Sequence, residues 1–179
     1  WFFNSLSAIS SADVRLPISG DPAAAPTTWS LLGTGDFDAD GADDLLWFDP
    51  ATNRYVQWFM NDAHRARTSS KIIASPNQLT AIDDFDGDGH SDLLWFNPRS
   101  RELRAWLMDG SKVRSDSVIA QSGVGAKVVD SGDFNGDGAA DLLMQAGSAS
   151  GLQLLRLRDG KVLSRHNLGG LPPGYVPLP

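Results

Sequence analysis

Three stretches of the chain concentrate carboxylates at one shared spacing. In GDFDADGADDLLWF, Asp36, Asp38, Asp40 and Asp44 stand at positions one, three, five and nine, numbered from Asp36. In DDFDGDGHSDLLWF the same places hold Asp84, Asp86, Asp88 and Asp92, and in GDFNGDGAADLLMQ they hold Asp133, Asn135, Asp137 and Asp141. Position six is Gly41, Gly89 or Gly138. The pattern D-x-[DN]-x-D-G-x-x-D suits a hard divalent cation, which takes six to eight oxygen ligands. Carboxylates at one, three and five of a tight loop converge, and glycine at six permits the sharp turn. Position seven is expected to contribute a backbone carbonyl, from Ala42, His90 or Ala139, and the ninth-position Asp to close the cage. Calcium fits this better than magnesium, which keeps several waters and a stricter octahedron. Without a cation, four carboxylates held this close repel one another.

Other chemistry finds less footing. An EF-hand needs an acid at position twelve, where this chain has Trp47, Trp95 and Met144. The histidines His64, His90 and His166 have no partner motif, and no nucleophile elbow, zincin helix or phosphate-cradling loop is present. The paired acids Asp43-Asp44 and Asp83-Asp84 could suggest the two carboxylates of a glycosidase. The cation loops account for one member of each pair, and Asp43 and Asp83 are expected to be exposed. No enzymatic activity is expected.

The loops recur after 48 and then 49 residues, the mark of a repeat architecture. Each is followed by an apolar run, a turn, an alternating segment, a hairpin signal such as Asp109-Gly110 and a more polar segment. The expected strands are 29–37, 45–48, 55–60 and 68–74 in the first repeat, then 79–85, 93–96, 102–108 and 112–120. The third repeat gives 127–134, 142–145, 152–158 and 161–168. Four short strands per repeat of this length make a β-propeller blade. The fold class is therefore all-β, with blades of four-stranded antiparallel sheet at 29–74, 79–120 and 127–168. Trp1-Phe2-Phe3-Asn4 aligns with Trp58-Phe59-Met60-Asn61, so residues 1–18 read as a half-blade. Ser19–Thr28 reads as an exposed insertion and 169–179 as a tail.

Trp47 and Trp95 are expected in the core, and Trp58 and Trp106, alternating with Met60 and Met108, between blades or, on a sharper reading, stacked on sugars. The third repeat is aligned to put Arg156 and Arg158 at the Trp106 and Met108 positions.

Composition sets the outer bounds. A net charge of −7 disfavours nucleic acid, and three divalent cations, carrying six charges, would bring it to −1. No apolar run is long enough for a membrane-spanning helix, and with no cysteine there are neither disulfides nor thiolate metal sites. The chain opens on Trp1, midway through a repeat, and reads as processed or cut from something longer.

The loop GDF(D/N)xDGxxDLL inside a blade-length repeat resembles the FG-GAP/VCBS family, the calcium-binding propeller repeats of integrin α-subunits and many bacterial extracellular proteins. The resemblance covers the chain from Trp1 to about Leu168. It implies that each loop joins the first and second strands of its blade and that three Ca²⁺ ions are held by the residues named above, the third more weakly because of Asn135. It implies an extracellular, secreted or cell-surface protein, with the periplasm also open. The expected function is a non-catalytic adhesion or recognition module for a protein or other ligand. The alternatives are a calcium-dependent lectin binding glycans or an accessory domain of a secreted enzyme. Three and a half blades leave apolar faces open, so self-association or the remainder of a larger propeller is expected.

Overall fold

A computed structural model describes residues 29–61, 64–72, 77–147 and 151–170. The expected half-blade, the insertion and the tail beyond residue 170 lie outside these. The described residues form twelve strands and no helix. The first sheet holds β1 (Ser30–Gly35), β2 (Asp44–Asp49), β3 (Arg54–Asn61) and β4 (His64–Ile72). The second holds β5 (Gln78–Asp83), β6 (Asp92–Asn97), β7 (Glu102–Asp109) and β8 (Lys112–Gln121). The third holds β9 (Lys127–Gly132), β10 (Asp141–Gln145), β11 (Gly151–Arg158) and β12 (Lys161–Gly170). Each is a four-stranded antiparallel meander in chain order, as expected of propeller blades, and the three do not close on one another.

The strands follow from local sequence. DLLWF is apolar on both faces of β6, which lies between two sheets, whereas β2 and β10 each bury one face against a described neighbour and leave the other half-buried. Leu46 faces the second blade and Leu94 the third, both fully buried. The outermost strands alternate instead, with exposed Lys112, Arg114 and Asp116 between half-buried neighbours. Strand β4 begins at His64, earlier than expected, because its polar residues pair with β3 from Asn61↔His64 onward. Strand β12 runs two residues into the expected tail, where Gly169 and Gly170 still pair with Leu152 and Gly151.

Two apolar layers hold the sheets face to face. Phe37, Leu46, Tyr55 and Phe59 of the first blade meet Leu93, Trp95, Trp106 and Met108 of the second. Phe85, Leu94, Leu103 and Leu107 of the second meet Leu142, Met144, Leu155 and Leu157 of the third. The inner strand β1 comes very close to β5: a Cβ on Gly33 would lie 2.8 Å from the Ile82 side chain.

The joints also share two main-chain hydrogen bonds. Ser91 N donates to Asp36 O at 2.6 Å and Gly110 N to Phe37 O at 2.9 Å. One blade on, Ala140 N donates to Asp84 O at 2.7 Å and Gly160 N to Phe85 O at 3.1 Å.

One expected alignment is corrected. Leu93 pairs with Trp106 and Leu142 with Leu155, so Leu155 and Leu157, not Arg156 and Arg158, occupy the Trp106 and Met108 positions. The second and third loops stand 49 residues apart and the ladder keeps that offset, whereas Arg156 lies one residue beyond it from Trp106. Arg156 instead takes the place of Leu107, on the face turned away from the second blade.

Candidate metal centre

Each loop connects the first strand of its sheet to the second. It is built around its first aspartate, whose carboxylate gathers the loop's own amides. Asp84 Oδ1 accepts from Gly87 N at 2.7 Å and Asp88 N at 3.2 Å, and Oδ2 from Gly89 N at 2.8 Å. Asp36 and Asp133 do the same for Gly41 N at 2.9 Å and Gly138 N at 3.0 Å. Gly41, Gly89 and Gly138 sit at φ of 88°, 89° and 90°, a region that favours glycine. Position four also turns left-handed, with Gly87 at 81° and Gly136 at 77°, but the first loop places Ala39 there at 58°.

The fold brings positions one, three and five together. Asp36, Asp38 and Asp40 each offer an oxygen within 4.8 Å of the others, and so do Asp84, Asp86 and Asp88. In the third loop Asn135 stands at position three and its Nδ2 donates to Asp141 Oδ2 at 2.9 Å. Position-seven amides donate to the fifth carboxylate: Ala42 N to Asp40 Oδ1 at 2.9 Å, His90 N to Asp88 Oδ1 at 3.0 Å and Ala139 N to Asp137 Oδ1 at 3.1 Å.

The ninth-position acids lie deeper, as buried ties between strands. Asp92 Oδ2 accepts from Phe85 N at 2.9 Å and Oδ1 from Met108 N at 2.7 Å. Asp44 accepts from Phe37 N at 3.1 Å and Met60 N at 2.8 Å, and Asp141 from Leu157 N at 2.9 Å. Burial pushes the Asp92 carboxyl up to about 8, against the pull of its two amide donors, with Asp86 and Asp84 adding to the rise. Asp44 is raised for the same first reason. Asp133, in contrast, is lowered, first by the Gly138 amide.

Two atoms test whether a cation fits. Asp38 Oδ1 and Asp86 Oδ1 are buried and have no hydrogen-bond partner. The Asp86 side chain is only 7 % exposed. A buried carboxylate oxygen without a donor is destabilising, and a bound cation would satisfy it. The donor set, all oxygen, suits a hard ion.

Arginines lie beside the loops. Arg67 Nη2 meets Asp38 Oδ2 at 2.6 Å and stacks over Phe59 at 3.7 Å. Arg114 pairs with Asp86 Oδ2 and, at 3.0 Å, with Asp88 Oδ2. Arg156 comes within 3.8 Å of Asp137. These pairs gave no sequence signal, since Arg67 and Arg114 lie 29 and 28 residues from their partners.

Two further residues depart from expectation. The His90 ring, expected to be idle, places Nδ1 2.8 Å from Phe37 O, a link between blades. That bond, ahead of an opposing desolvation and the nearby Asp88, raises its pKa. Asp83 is half-buried rather than exposed, and burial raises its carboxyl although Ser131 donates to it. Asp43 is exposed. Trp95, Trp106 and Trp58 are 1 %, 7 % and 2 % exposed, so none presents a free ring for a sugar.

Residues 84–144 match the family model described as an FG-GAP-like repeat. The matched segment begins on the first aspartate of the second loop, runs through β6, β7, β8 and β9, and takes in the third loop and β10. Comparison with curated proteins finds no significant match.

Proposed function

We propose, from the FG-GAP-like repeat over residues 84–144, that this chain is a non-catalytic calcium-binding propeller module of an extracellular or cell-surface protein. It recognises a protein ligand, and its calcium is structural. The observation that carries the reading is the pair of buried, donorless oxygens, Asp38 Oδ1 and Asp86 Oδ1, inside two clusters of three carboxylates. In each such loop the three acids and a position-seven carbonyl, from Ala42 or His90, would hold the ion. Asp44 and Asp92 back the loop and tie it to the third strand. Asp133, Asn135, Asp137 and the Ala139 carbonyl would make a third, weaker site, with Asp141 backing it as Asp44 and Asp92 do, because Asn135 offers no charge and its amide is turned to Asp141. FG-GAP-like repeats are typical of extracellular proteins, and loops of this kind suit the millimolar calcium found outside cells. Trp58, Trp95 and Trp106, all buried, offer the lectin alternative no stacking face.

The role assigned to the ion is mechanical. Each loop is the corner between the inner strand and the second strand, and in the first two loops its carbonyls carry the joint to the next blade. An ion that neutralises the corner also fixes that joint. A thermal melt with and without chelator tests this. At calcium a hundredfold above Kd each site contributes about 2.7 kcal/mol. For a chain of this size that corresponds to a rise of roughly 5–10 °C. An unchanged midpoint, with no heat of calcium binding by titration calorimetry, overturns the reading.

A further inference from the structure

We infer that Arg114 is a resident competitor for the cation of the second loop and sets that loop's affinity below that of the first. The inference rests on the cation reading above. Its basis is how the arginine is delivered. Val113 pairs with Met108 and Ser115 with Leu107, so Arg114 is the extra residue of a β-bulge. Bulges re-aim side chains near functional sites, and this one carries the guanidinium to two carboxylates at once, Asp86 and Asp88. The same bulge recurs in β4 and β12, where the extra residue is Ala66 or Leu163. In the first loop Arg67, one position further on, reaches Asp38, and its guanidinium is held over Phe59. In the third, Arg156 from β11 approaches Asp137 alone. Among the described residues, only the second loop has two of its position-three and position-five acids paired to one arginine.

The consequence is electrostatic. With no ion, Arg114 offsets the repulsion among Asp84, Asp86 and Asp88 and stabilises the loop. With an ion, the same guanidinium is a like charge one carboxylate away, and it occupies oxygens the ion needs. A dication and a monocation about 5 Å apart, screened as in water, lower affinity by roughly tenfold. Removing the arginine therefore acts with opposite signs in the two conditions, which a purely structural side chain would not do.

Three amides report the loops separately: Gly41, Gly89 and Gly138, each donating to the first aspartate of its own loop. In a calcium titration of the ¹⁵N-labelled chain followed by NMR, Gly41 is expected to shift at lower calcium than Gly89. In Arg114→Gln the Gly89 midpoint should fall about tenfold while Gly41 and Gly138 keep theirs, and the metal-free melting temperature should drop. Arg114→Lys, which keeps the charge, should leave the Gly89 midpoint within about threefold of the parent. If Gly89 responds in the parent chain but Arg114→Gln leaves its midpoint unchanged or raises it, the competitor role is wrong and the cation reading stands. If none of the three amides responds to saturating calcium in the parent chain, the cation reading itself fails and this inference with it.

Discussion

At the scale of single residues, the chemistry of the loops was legible because it is local. Positions one, three, five and six lie within six residues, and the fold closes them as their types suggest. What the sequence concealed were second roles whose partners come from far away. The His90 ring meets a carbonyl 53 positions back, and the guanidiniums arrive from outer strands. One local rule is broken at Ala39, which holds φ of 58° where the other loops have glycine. A non-glycine residue there is strained by about 1–2 kcal/mol, partly offset by the greater freedom of glycine in the unfolded chain. Ala39→Gly is therefore expected to stabilise the chain by up to about 1 kcal/mol, read from urea unfolding. The reverse change in the second loop, Gly87→Ala, should destabilise by a similar amount.

At the scale of elements, the count and order of strands were written in the repeat, and the all-β expectation holds. The register was not. The expected alignment placed Arg156 opposite Leu142, whereas the ladder puts Leu155 there, and in each blade the ninth-position aspartate takes the amide of Met60, Met108 or Leu157. That tie spans 16 residues in every blade and has no signature beyond an acid before an apolar run. It predicts that Asp92 matters even where no metal is present. Asp92→Ala leaves the amides of Phe85 and Met108 buried without acceptors, at about 1–3 kcal/mol each. A loss of about 3 kcal/mol is expected by denaturant unfolding in chelator. Asp92→Asn, which keeps one acceptor oxygen, should lose clearly less. Equal stability of Asp92→Ala and the parent in chelator would rule the tie out.

At the scale of the whole molecule, the three sheets form an open series in which one joint is made twice. Phe37 and Phe85 are fully buried in those joints, while their counterpart Phe134 is 50 % exposed. Sequence alone made the three phenylalanines equivalent, since each follows the first aspartate of a loop, and only the stacking separates them. Phe85→Ala should destabilise by about 3–5 kcal/mol. Phe134→Ala should change stability by less than about 1 kcal/mol, because half of its ring already meets water; comparable losses in the two variants would contradict the stacking. The joint itself is sewn by main-chain atoms: Ser91 donates in one seam and Ala140 in the other, to equal effect. Such a seam does not depend on which side chains stand beside it. Over evolutionary drift the faces of neighbouring sheets can be rewritten while their stitching keeps its place, and among the twenty amino acids proline alone lacks the hydrogen that makes the stitch.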